Sequence, residues 1–153
     1  MNYATAAVLL CLSLSALSAS AQTAAQCPSL PATSNLQWQE QVAGDFLVCR
    51  ATTSEGREVL SLMLTRNDPD LRFPRALRQE KDSFAGEELY WYLPDLGGQE
   101  PPGFADRRVS VVRIDKNRYA QLALYPGNSE ERSSLQQMIR GMNLTPGAMA
   151  AGR

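Results

Sequence analysis

Six stretches of this chain alternate apolar and polar residues with period two, and that alternation limits the fold more than any other feature. Leu36, Trp38 and Val42 point one way while Gln37, Gln39 and Gln41 point the other. Phe46 to Ala51 is a second strand, and it carries Cys49. Glu58 to Thr65 places Leu60, Leu62 and Leu64 on one face, with Ser61 and Thr65 opposite. Glu88 to Leu93 sets Leu89, Trp91 and Leu93 against Tyr90 and Tyr92. Arg107 to Asp115 is rich in valine, and Tyr119 to Tyr125 buries Ala120, Leu122 and Leu124. Period two is the signature of half-buried strands. Most of the joins carry turn chemistry: Ala43-Gly44-Asp45, Thr53-Ser54-Glu55-Gly56 and Lys116-Asn117.

One segment follows the other period. Leu135, Met138, Ile139 and Met142 form a stripe at helical spacing. Asn128 stands where a helix cap belongs, with Glu131 three residues on as the capping-box partner. Gly141 falls where a left-handed residue ends a helix. A short helix is also expected from Pro74 through Lys81, opened by the proline. Its only apolar residues are Ala76 and Leu77.

Strands joined mainly by hairpins, then one amphipathic helix, define an α+β class. The expected architecture is a single domain: an antiparallel sheet of about six strands with the C-terminal helix packed on one face. This order of elements is similar to that of small PsbP/Mog1-like proteins, in architecture only, without a shared motif.

The chain begins with an address. Ala4 to Leu17 is apolar, and Ala19-Ser20-Ala21 is a small-x-small cleavage signature. Residues 1–21 therefore read as a secretory signal peptide, leaving Gln22 as the mature N-terminus. The run is too short to stay as a spanning helix. Gln26 before Cys27 does not fit a lipoprotein signal. The expected location is periplasmic or secreted, as for a bacterial envelope protein, with no membrane span after cleavage. Residues 22–35 read as an irregular leader, 36–144 as the α+β domain and 145–153 as a disordered tail.

Cys11 leaves with the signal peptide, so the mature chain keeps Cys27 and Cys49. In an oxidising compartment such a pair is expected to form a disulfide bond. With no histidine in the chain, two cysteines do not make a zinc site. No metal and no cofactor is expected.

Charge is nearly balanced, 15 basic against 16 acidic. No basic stripe interleaves with aromatics, so nucleic acid is not expected as a partner. The lack of histidine also excludes Ser-His-Asp and Cys-His catalysis. Glu87 and Glu88 are neighbours on a strand and point apart. Glu88, Asp95 and Asp106 are the carboxylates a dispersed hydrolase site would use. Ser83 near Lys81 lacks the Ser-x-x-Lys spacing. Gly97-Gly98 is followed by no Gly-Lys-Ser/Thr, and Asn67-Asp68-Pro69-Asp70 is too short for a calcium loop.

The remaining cluster is aromatic. Leu89-Tyr90-Trp91-Tyr92-Leu93 runs into the Pro/Gly-rich loop Pro94 to Asp106, which carries Leu96 and Phe104 among acidic residues. An apolar centre within a charged rim is the anatomy of a protein interface. The expected partner-binding set is Tyr90, Tyr92, Asp95, Leu96 and Phe104. The function this suggests is a non-catalytic exported protein that binds another envelope or secreted protein: an inhibitor, an immunity factor or an accessory subunit. The alternatives are a small-ligand or polysaccharide-binding module and a carboxylate-based hydrolase.

Overall fold

The computed structural model describes residues 26–144. The signal peptide expected at 1–21 and the tail expected at 145–153 lie outside the described residues. Seven strands form one antiparallel sheet: β1 (Gln37–Ala43), β2 (Phe46–Thr52), β3 (Glu58–Thr65), β4 (Arg78–Phe84), β5 (Glu87–Tyr92), β6 (Arg108–Asp115) and β7 (Arg118–Leu124). Their spatial order is β1-β2-β3-β7-β6-β5-β4, so β1 and β4 are the edges. One helix, α1 (Ser129–Arg140), follows β7. The α+β class read from the sequence is the class observed.

The register turns the period-two pattern into aligned rows. Cys49 pairs with Leu62, Leu62 with Leu122, and Leu122 with Ser110. Leu47, Leu64, Ala120 and Val112 form the next row. These residues are buried, and α1 adds Leu135 and Ile139 to the same core. Trp91 and Phe84 are fully buried and fill its other end. Each buried leucine, valine, isoleucine or phenylalanine among them contributes roughly 1.5–3 kcal/mol through loss of apolar surface to water.

Alpha-helix α1 starts where the sequence places it, with Asn128 accepting a hydrogen bond from the Glu131 N–H at 2.9 Å. The Glu131 carboxylate does not close a standard capping box. It accepts from the Gly127 N–H at 2.5 Å and from Arg57 at 2.5 Å. The helix end differs from expectation too. Gly141 has φ −84, in the right-handed region, and the last turn closes by hydrogen bonds from the Gly141 N–H to Met138 and the Met142 N–H to Ile139. Burial of Met142 against the core pulls the chain inward there, so no left-handed reversal is needed.

Residues 26–36 form a second cover on the helix-bearing face. Cys27 is bonded to Cys49 as a disulfide, with Cα atoms 5.8 Å apart. Pro28 is buried, and its carbonyl accepts from the Trp38 indole at 2.6 Å. The part of the expected leader within the described residues, 26–35, is therefore a packed layer over β1 and β2.

The helix expected from Pro74 to Lys81 is not formed. Arg75–Leu77 is one 3-10 turn, and β4 begins at Arg78. Strand β4 forms because its alternate residues have partners on the core face: Glu80 meets Arg108, Asp82 meets Trp91 and Arg140, and Phe84 enters the core. Tertiary pairing overrides weak local helix propensity. The sheet gains a seventh strand by it.

Candidate functional site

Strand β3 lies in the middle of the sheet and β4 at its far edge, so the connection 66–77 must cross β7, β6 and β5. It crosses the face opposite α1. The sequence leaves room for it. One row of that face runs through all seven strands: Gln39, Arg50, Ser61, Ala123, Val109, Tyr92 and Arg78. Its middle members are small. Leu71 and Phe73 lie over them and enclose a cleft of about 180 Å³ with Ser61, Met63, Val109, Gln121 and Ala123.

Phe73 stacks on Tyr92 with ring centroids 4.9 Å apart and planes 22° apart. The Arg78 guanidinium sits 4.5 Å from the centroid of Tyr90. Stacked pairs of this kind contribute about 0.5–1.5 kcal/mol beyond burial, and exposed cation–π contacts about 0.5–1 kcal/mol. Leu71 remains 49% exposed on top of the strap. Arg72, Arg75 and Arg78, on and just after the strap, are exposed.

The expected binding residues separate on this frame. Tyr90 and Tyr92 are half-buried side by side on the outer face. The loop after β5 leaves the sheet beside the Arg75–Leu77 turn, where the Leu93 N–H donates to the Leu77 carbonyl at 2.9 Å. On that loop Leu96 is 41% exposed, and Asp95 accepts from the Gly97 N–H at 3.1 Å. Phe104 does not join them. It lies in a 3-10 turn, Phe104–Asp106, and is only 9% exposed. The loop has a buried foot, so Phe104 is a packing residue. Sequence reading missed Leu71, Phe73 and Arg78. The usable signal was the alternation Leu71-Arg72-Phe73 directly after a turn cluster.

The carboxylates weighed as catalytic candidates do not converge. Glu88 pairs with Lys81 at 2.5 Å, and Asp106 with Arg132 at 2.8 Å. Hydrogen bonding to Glu88 holds the Lys81 ammonium above its ordinary value, the wrong direction for a general base. Glu80 is held below the ordinary carboxylate value, chiefly by its two hydrogen bonds from Arg108, each 2.8 Å. Glu131 is lowered chiefly by Arg57. Among the described residues no group of three potential ligands could hold a metal ion.

A second concavity lies on the other face, between the 26–36 layer and α1. It is a groove of about 520 Å³ with an apolar floor including Leu36, Val59 and Met138 and a polar rim including Ser34 and Gln137. No aromatic residue lines it. None of the described helices is long and apolar enough to cross a membrane.

Comparison of the chain with protein-family models, with curated proteins and with solved structures gives no match.

Proposed function

We propose that this chain is an exported, non-catalytic binding protein that takes a protein partner on the outer face of its sheet. An inhibitor, an immunity factor or an envelope accessory subunit fits that description. The observation that carries the reading is the strap over β5 to β7. It leaves Leu71 half exposed over the same cleft as Phe73, which stacks on Tyr92, with Arg72, Arg75 and Arg78 exposed on and just after the strap. Aromatic and arginine side chains dominate binding hot spots. Leu96, on the loop that follows β5, is a further exposed apolar residue. Arg72 is ion-paired with Asp70 at 3.2 Å, and the charges of Arg75 and Arg78 favour a partner with an acidic surface. The signal sequence and the disulfide support a periplasmic or secreted location.

Leu71→Asp is the direct test. It places a carboxylate in the apolar centre at an exposed position. Partner capture from an envelope extract should fall at least tenfold, with the melting temperature unchanged, and wild-type capture should weaken as salt rises. Undiminished capture by Leu71→Asp would refute the reading.

The 520 Å³ groove favours a second reading, a small-ligand module, because its volume lies in the range that such sites use. Filling it with Met138→Trp should abolish binding of any ligand held there and leave partner capture intact.

A further inference from the structure

The two edges of the sheet are built differently. Strand β4 carries the usual devices against edge-to-edge pairing. It is charged throughout its middle, its core-side carboxylates Glu80 and Asp82 are tied to arginines, and its pairing with β5 is irregular between Arg78 and Lys81. Strand β1 carries only one of them, the charge of Glu40, which faces the core side opposite Cys49 and accepts from the Cys27 N–H at 3.3 Å. It pairs with β2 without interruption from Gln37 to Ala43. It holds one charge, Glu40, and neither proline nor lysine. All of its residues except Trp38 are exposed, and Val42 is 66% exposed.

The two-residue turn Gly44-Asp45 fixes which backbone groups are free. Ala43 and Phe46 flank it and form its closing pair, which is hydrogen-bonded in such hairpins. Alternation then turns the N–H and C=O groups of Gln37, Gln39 and Gln41 toward β2. Those of Trp38, Glu40 and Val42 point outward, where the sheet order places no strand among the described residues.

We propose that β1 is a homodimer edge: two copies of this chain pair β1 antiparallel to β1 about a two-fold axis at Gln39. This register is self-complementary. It sets Gln39 opposite the second copy's Gln39, Gln37 opposite its Gln41, Trp38 opposite its Glu40, and Val42 opposite its Leu36. The free groups of Trp38 and Glu40 then pair with each other across the axis. Val42 gains an apolar neighbour. The competing register, centred on Glu40, sets two carboxylates directly opposite, which is destabilising. The axis stands perpendicular to the sheet, so one continuous sheet presents both strap-covered faces on the same side. The dimer goes beyond the binding reading and does not depend on it.

The test is sedimentation velocity on the mature protein across a concentration series, with Gln39→Lys and Gln39→Glu. Gln39 is exposed on the outer face opposite Arg50, so Gln39→Glu should keep the wild-type melting temperature and Gln39→Lys should lower it only slightly. Wild type should pass from monomer to dimer as concentration rises. Each variant alone should stay monomeric, because like charges then face each other on the axis. An equimolar mixture of the two should restore the dimer. Wild type that stays monomeric throughout, a dimer that survives in either variant alone, or a mixture that stays monomeric would each overturn the proposal.

Discussion

The two faces of the sheet are made from the same strands and differ in what covers them. On one face, rows of leucine, alanine and tryptophan are sealed by α1 and by the 26–36 layer, which a disulfide holds down. Ion pairs fasten this cover at its rim, Arg57 with Glu131, Arg132 with Asp106, and Arg140 with Asp82. The other face has small residues at its centre and a single strap across them, which leaves Leu71 half exposed. Neighbouring residues on a strand thus have separate tasks. Trp91 is fully buried, while Tyr90 and Tyr92 beside it remain partly accessible. Stability resides mainly on the sealed face, and under the proposed function the outer face is the one that carries recognition.

The largest contrast should come from paired substitutions. Ile139→Ala empties a fully buried site and should cost about 2–5 kcal/mol in denaturant unfolding. Leu71→Ala should cost no more than about 0.5 kcal/mol by the same measurement. Equal losses would erase the distinction between the faces.

Cys49→Ser removes the tether of the 26–36 layer and should cost up to about 3 kcal/mol. Reduction of the wild-type protein should lower the melting temperature to a similar degree. A mass consistent with two free thiols in the native exported protein would contradict the bond.

Acid should weaken the sealed face through Glu80 and Glu131, whose carboxyls are held below their ordinary value by Arg108 and Arg57. A carboxylate depressed on folding contributes stability above its unfolded pKa, and that contribution is lost as pH falls through the folded value. Glu80→Gln should therefore flatten the acid limb of the stability–pH curve and leave its alkaline side parallel to wild type. An unchanged acid limb would exclude Glu80 from that role.

The smallest effect is a local one. Ala85 has φ +50 in the Ala85-Gly86 turn between β4 and β5, a conformation that favours glycine. Ala85→Gly should raise stability by up to about 1 kcal/mol. A loss of stability would mean that the packing of its methyl group outweighs the backbone strain.

The readable parts of the fold were those where burial alone decides. Leu60, Leu62 and Leu64 are followed on paper to the core they occupy, as are Ala120, Leu122 and Leu124. Strand β4 was illegible because its alternation is electrostatic. Glu80 and Asp82 belong to the core face only because Arg108, Trp91 and Arg140 meet them there. Its hairpin was hidden as well, since Ala85-Gly86 lacks the Asn or Asp that usually marks a turn of this kind. Of the candidate site, Tyr90 and Tyr92 were legible from alternation. For Leu71 and Phe73 alternation marks the residues but not their place on the outer face, which depends on strand order, and period two does not encode strand order.

Site-specific photo-crosslinking tests most directly whether the outer face is the one that binds. A photoreactive residue would replace Leu71 on the strap in one variant and Ser133, on the exposed side of α1, in another. The expected result in the native envelope is a discrete covalent adduct from position 71 and none from position 133. An adduct from position 133 with none from 71 would contradict the division between the faces.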